Sequence, residues 1–115
     1  MTPAEERRRH RRFMIPVLIE APSLSDFPLV PEDVSAGGFQ VVVSGEPKIG
    51  STVEFTIQIY ESVYPECRAR IVWIKENKTD PATWAVGLSF EMDERRQRDF
   101  ARLLERAFAE IQADT

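Results

Sequence analysis

The alternation of apolar and polar residues in the middle of the chain constrains its fold more than any other feature. Between residues 53 and 59 every second residue is apolar. Successive side chains of a β-strand point to opposite faces, so this period of two predicts a half-buried strand. Residues 67–74 and 84–90 repeat the pattern, with a polar connection between them. These segments predict strands that follow one another without intervening helices.

Three earlier segments, 13–21, 29–34 and 38–44, are also predicted strands. At Asp93 the apolar period changes to 3.6 residues, which predicts a helix over 93–112 with Asp93 as its N-cap. Closely spaced strands followed by one helix favour an all-β fold: a six-stranded antiparallel barrel with a C-terminal helix.

One face of the predicted strand 84–90 is unusually small. Ala85, Gly87 and Ser89 alternate with much larger apolar residues. A run of small residues on one face indicates that another group lies close against it, or that the strand bends there.

Composition excludes several classes of protein. The chain has 115 residues, one cysteine (Cys67) and one histidine (His10), so an internal disulfide, a multi-cysteine metal site and a two-histidine metal site are all excluded. The longest apolar run, 13–19, is too short to cross a membrane and lacks the features of a secretory signal. These features predict a soluble, cytoplasmic single domain that does not insert into membranes.

The residues give little support for catalysis. Cys67 alternates onto the apolar face of its strand, where a structural cysteine is the commoner case. His10 has no identifiable nucleophile partner, and no glycine-rich phosphate loop is present. We therefore predict that the protein is not an enzyme and uses no cofactor or metal.

Charge is distributed unevenly along the chain. Residues 1–12 contain five arginines and two glutamates, whereas the whole chain has a net charge of −4. This distribution predicts a flexible cationic arm, 1–12, attached to an acidic body, 13–115. An acidic body repels duplex nucleic acid, so a small anion reached by the arm fits better, unless the arm is only a solvated tail.

Two motifs point to such an anion. Arg8 and Arg12 form R-x-x-x-R, directly preceded by Arg7, and arginine pairs bidentately with phosphate and with the O6/N7 edge of guanine. Further along, Asp33 and Ser35 begin D-x-S-A-G-G, where the carboxylate and hydroxyl can bind base N–H groups. This second motif alone is also a good connection between strands.

The two motifs in this order resemble the PilZ domain family, and residues 69–73 and 86–90 look like later strands of that family. The resemblance extends over residues 5–110. It implies a six-stranded PilZ-type barrel that binds cyclic di-GMP, a bacterial second messenger.

The resemblance also implies roles for individual residues. Arg8 and Arg12, joined by Arg7, would contact phosphates and guanine edges. The remaining assignments concern the barrel surface: guanine would be held there by Asp33 and Ser35, the surface would be kept open by Gly38, and it would be lined by Trp73. Trp73 has a competing interpretation as a core residue, because it alternates onto the face of Ala69 and Ile71.

In similar PilZ domains an arginine directly before R-x-x-x-R accompanies two intercalated cyclic di-GMP molecules. Arg7 therefore implies two ligands per chain. Arg9 and Arg11 receive no assignment from the resemblance.

The resulting hypothesis is a cyclic di-GMP receptor that signals to an unidentified downstream protein by ordering its arm. One alternative is a PilZ-like adaptor in pilus or flagellar motility control that does not bind the nucleotide. Another is an RNA-binding barrel, which is disfavoured by the acidic body and by the lack of an aromatic stacking surface.

Overall fold

The computed structural model describes residues 11–113, whose strands form one antiparallel sheet with the order β1-β3-β4-β5-β2. The elements are β1 (Val17–Glu20), β2 (Gly38–Val43), β3 (Thr52–Ile59), β4 (Ser62–Asn77), β5 (Thr83–Phe90) and α1 (Glu94–Ala113). The all-β fold with a C-terminal helix is thus confirmed.

The segment 29–34 differs from its predicted strand. Pro28 and Pro31 have no backbone N–H to donate, so the segment cannot form a continuous ladder. It makes isolated bridges instead: Leu29 pairs with Ile19 of β1, and Val34 pairs with Phe39 of β2. Because β1 and β2 are the two edges of the sheet, the segment connects both edges and completes the half-barrel.

Helix α1 covers the apolar face of the sheet. Asp93 caps it by accepting a hydrogen bond of 2.7 Å from the backbone N–H of Arg96, as predicted. Leu104 is fully buried, and the Phe100 ring packs edge-on against Phe90 at 5.1 Å. The helix therefore closes the core on the side that the strands leave open. Within residues 11–113 no helix is both long and apolar enough to cross a bilayer.

A β-bulge near the middle of β4 changes the face that its side chains occupy. Ile71 pairs with Leu88 and Trp73 pairs with Gly87, so β4 has one extra residue between these pairs. The alternation predicted for residues 67–74 is consequently wrong beyond Ile71. Ile74 packs against the core, and Trp73 lies on the outer face of the sheet.

A second bulge lies near the start of β4. Phe55 pairs with Cys67 and Ile57 pairs with Tyr64, so two residues of β4 oppose one residue of β3 between these pairs. Glu66, inside this bulge, has a φ of 58°, in the left-handed region. The extra residue lets both Tyr64 and Cys67 face the helix side of the sheet.

Candidate ligand-binding surface

Arg12 and Asp33 form an ion pair at the mouth of the loop between the 29–34 segment and β2. The Nε and Nη2 groups of Arg12 both donate to Oδ1 of Asp33, the Nε bond measuring 2.9 Å. The two side chains are only 19% and 22% exposed, so the pair is partly shielded from water. Arg12 also donates from Nη1 to the hydroxyl of Ser35 at 3.4 Å. The structure thus brings together the second arginine of the first motif and the acid and hydroxyl of the second.

Ser35 organises the loop and is completely buried. Its Oγ accepts hydrogen bonds from the backbone N–H groups of Gly37 (3.1 Å) and Gly38 (3.2 Å) and donates to the Gly38 carbonyl (3.3 Å). A buried hydroxyl needs such partners, and here they fix the loop backbone. Ser35 therefore supports the surface from below and holds Arg12 beside it.

Glycine is required at position 38 because the backbones of β2 and β5 approach each other closely there. A Cβ at this position would lie 1.9 Å from the carbonyl oxygen of Leu88 in β5. Any side chain would push β2 away from β5 at the point where the loop enters the sheet. The glycine accordingly has a packing role in addition to any contribution to an open surface.

Trp73 lies across the small face of β5. A Cβ on Gly87 would meet Nε1 of the indole at 2.0 Å, so the ring occupies the space that a side chain would fill. This contact confirms, at Gly87, the expectation that another group lies close against the small face of β5. The indole is half-buried and presents an aromatic group on the outer face. Its interpretation as a core residue is wrong, because the bulge turns it outward.

The sheet register adds residues that the sequence did not single out. Gly38 pairs with Ser89, which pairs in turn with Arg70; Gln40 of β2 and Trp73 of β4 flank Gly87 in the next outer row. Residues directly opposite share a face, and successive residues on one face are about 7 Å apart along a strand. Arg70 and Gln40 could have been found only from the register, which depends on the bulge.

Arg11 contacts α1. Its guanidinium carbon lies 4.8 Å from the centre of the Phe13 ring and 5.3 Å from that of Phe108, a cation–π arrangement with both rings. At the other end of the helix, the side-chain amide of Gln97 donates to the Ala36 carbonyl at 3.2 Å. The two residues at the end of the predicted arm therefore contact the body, and the helix is linked to both the arm and the loop.

Of the predicted site residues, the structure groups Arg12, Asp33, Ser35 and Gly38 in one cluster and places Trp73 on the same outer face. Arg7 and Arg8 lie outside the described residues, as does most of the predicted arm, 1–12.

The chemistry of this surface suits an anion that carries planar bases. The Arg12 guanidinium has more N–H donors than these contacts use, and its contact with Asp33 does not engage Oδ2. A carboxylate accepts N–H donors of a base edge, a guanidinium donates to phosphate, and an indole stacks on a base. All three groups are held by the fold before any ligand arrives.

Comparison with known proteins agrees with this architecture. The family model described as PilZ domain matches residues 6–106. None of the curated proteins matches significantly.

Three solved structures illustrate the similarity. The isolated PilZ domain of YcgR from Escherichia coli, solved with cyclic di-GMP, has a TM-score of 0.63 at 21% identity, covering 95% of this chain and 98% of that domain. A longer YcgR chain from the same organism, also in complex with cyclic di-GMP, has a TM-score of 0.65 at 24% identity, covering 94% of this chain and 50% of that YcgR chain. MotI, an inhibitor of motility from Bacillus subtilis, has a TM-score of 0.60 at 19% identity, covering 87% of this chain and 50% of MotI.

The chain thus spans about half the length of the longer YcgR and of MotI. At these identities the structures establish the shared fold. The family model covers most of the sequence, including Arg7 to Arg12, the Asp33–Gly38 loop and much of α1. The chain therefore belongs to the PilZ domain family.

Proposed function

We propose that this protein is a cyclic di-GMP receptor without catalytic activity that passes the signal to a partner protein. The observation that carries the proposal is the cluster of Arg12, Asp33 and Ser35, in which the family's two motifs meet in space. Two PilZ structures with similar folds were solved with cyclic di-GMP, which supports the choice of ligand.

Arg12 binds a phosphate of the ligand while Asp33 keeps the guanidinium oriented. A fork that is already held in place loses little side-chain entropy on binding. Asp33 uses Oδ2 to accept the N–H groups of a guanine edge. The pair therefore does not need to break when the ligand binds.

Trp73 supplies an aromatic surface on which a guanine stacks. Its indole can lie against β5 because Gly87 has no side chain. In the neighbouring row Gly38 and Ser89 leave space on β2 and β5, and Arg70 lies at the β4 end of that row. The ligand thus lies along the outer face of β2, β5 and β4.

Arg7 and Arg8 complete the phosphate contacts, and Arg7 allows a second, intercalated ligand. A second dianionic ligand adds charge repulsion, which an additional guanidinium near the phosphates offsets. Ordering of the arm on binding then changes the surface that a partner protein meets.

Titration calorimetry with cyclic di-GMP tests the proposal, with GTP and GMP as control nucleotides. We expect saturable binding of cyclic di-GMP at two ligands per chain and a lower ratio or a weaker second step in Arg7→Ala. A saturated ratio of one would contradict the stoichiometry alone. If the folded protein released no binding heat, the receptor proposal would be contradicted. The alternative of an adaptor that does not bind the nucleotide would then be favoured. Arg98→Ala, on an exposed position of α1, is the matched control.

A further inference from the structure

A groove of about 480 Å³ lies between α1 and the hairpin of β3 and β4, away from the candidate ligand surface. Its floor is apolar and includes Ile57, Cys67, Phe90, Phe100 and Leu103. Ile57 and Phe90 are core residues, so the groove lies on the helix side of the sheet, whereas Trp73 lies on the other side. Its position follows from the bulge at Glu66, which turns Tyr64 and Cys67 toward the helix.

Three arginines of α1 line the groove, Arg96, Arg102 and Arg106, together with one acidic residue, Asp99, so the lining keeps an excess of positive charge. All three are exposed, and within residues 11–113 none of them has a carboxylate oxygen within 4.0 Å. The charges thus remain available beside an apolar floor.

The spacing of these charges indicates which kind of molecule fits the groove. Arg96 and Arg106 are ten positions apart, about 15 Å along the helix axis. One carboxylate group, as on a fatty acid, reaches only one such position at a time. The phosphates of a nucleic acid could pair with the arginines, but a nucleic acid has no apolar side chains to cover the floor. A peptide segment with several acidic residues and an apolar stripe matches both the row of charges and the floor.

We propose that this groove docks an apolar, acidic segment of a partner protein, whose carboxylates pair with Arg96, Arg102 and Arg106. The inference goes beyond the proposed receptor function, because it identifies where a partner binds and what chemistry it presents. Since the groove and the outer surface lie on opposite faces of the sheet, nucleotide and partner can be bound together. Gln97 and Arg11 link α1 to the loop and the arm that flank the nucleotide surface.

The test uses a fluorescein-labelled amphipathic peptide of alternating leucine and glutamate blocks, measured by fluorescence anisotropy without nucleotide. A peptide with the same leucines and lysine in place of glutamate is its control. We expect the acidic peptide to bind and the basic one not to bind. The double variant Arg102→Glu, Arg106→Glu is expected to weaken binding at least about tenfold, and added salt to weaken wild-type binding.

Arg98→Glu is the matched charge reversal, because Arg98 is exposed on the same helix but does not line the groove. It should leave peptide binding within about twofold of wild type, since an exposed charge outside the contact contributes little. Circular dichroism of each variant verifies that α1 is intact. If the double variant and Arg98→Glu lost peptide affinity equally, the proposal would be overturned. The peptide would then be attracted by the overall charge of α1 and not by the groove.

Cys67 reports on the groove floor. Among residues 11–113 it is the only cysteine, and its thiol is half-buried beside the arginine row. The acidic peptide should slow alkylation of Cys67 by iodoacetamide severalfold, and Cys67→Ser should still bind it. Unchanged alkylation at saturating peptide would overturn the proposal. So would concentration-dependent dimers that the double variant abolishes, since the occupant would then be a second copy. Neither readout depends on cyclic di-GMP, so failure here leaves the receptor proposal standing.

Discussion

The candidate ligand surface and the groove under the helix present opposite kinds of surface. On the outer face the charged groups Arg12 and Asp33 are already paired, and the backbone approaches closely at Gly38. On the helix side an apolar floor is bordered by arginines without acidic partners in the described chain. The first surface is organised before binding, whereas the second offers charge that a partner can neutralise. Two bulges in β4 contribute to this difference, because they direct Trp73 to the first surface and Tyr64 to the second.

The largest effect is expected where the outer face depends on backbone contact. Gly38→Ala would place a Cβ against the Leu88 carbonyl and should lower the free energy of unfolding by about 3 kcal/mol or more. Gly45→Ala is the matched control, because a Cβ there meets nothing within 4 Å; it should change stability by less than about 0.5 kcal/mol. Urea unfolding measures both. Equal stabilities would mean that β2 can shift freely and that the outer face is not fixed.

The next effect concerns the charges of the outer face. Arg12→Ala should weaken cyclic di-GMP binding by about 1–3 kcal/mol in calorimetry, because a charge-assisted fork is lost. It should also lower stability by up to about 1 kcal/mol, since Arg12 holds Asp33 in a partly shielded pair. Arg8→Ala should weaken binding similarly at unchanged stability.

Arg12→Lys distinguishes charge from geometry at this position. Lysine keeps the charge but cannot form the fork, so it should restore little affinity. Wild-type binding by either alanine variant would contradict the assigned role of the corresponding arginine.

The direction of Trp73 provides a third comparison, between neighbouring residues on opposite faces. Ile71→Ala should cost about 2–5 kcal/mol of stability, because Ile71 is 1% exposed in the core. Trp73→Ala should cost clearly less stability but lower cyclic di-GMP affinity by about 1 kcal/mol or more through lost stacking. Trp73→Phe should recover part of that affinity. If Trp73→Ala cost as much stability as Ile71→Ala and left affinity unchanged, Trp73 would act as a core residue.

The smallest effect is a pH dependence on the helix side. Burial raises the pKa of the Cys67 thiol, and Arg96 partly offsets this increase. Below the ordinary thiol pKa, about 8.5, the thiol is neutral in both the folded and the unfolded protein. Its contribution to the free energy of unfolding is then fully present. Above it the unfolded thiol ionises first, so the contribution declines as pH rises through the folded pKa.

Wild type should therefore lose more stability than Cys67→Ser between pH 8 and 10, because serine has no thiol to ionise. Urea unfolding at each pH measures the difference, and the serine variant subtracts the other groups that titrate there. An identical pH dependence in the two proteins would show that the thiol remains well hydrated.

Much of the fold could be predicted from local patterns. Alternation identified β3 and β5, the change of period identified α1, and Asp93 was recognisable as a cap because its hydrogen bond is made within one turn. The arginine and D-x-S motifs identified the family. Each of these signals is carried by residues close together in the chain.

Other features were decided only in three dimensions. The segment 29–34 bridges both sheet edges rather than forming a strand, because its bonds depend on where β1 and β2 lie. Arg11 gained its contact from Phe108, a residue distant in sequence. No local pattern contains either partner.

The sequence by itself determined the all-β fold, the terminal helix and the residue types of the outer surface. The tertiary structure decided which face each half of β4 presents, and hence that Trp73 points outward and Tyr64 toward the helix. The physical reason is that a bulge shifts the register by one residue, which reverses every later side chain, while its position depends on hydrogen bonding to the neighbouring strands.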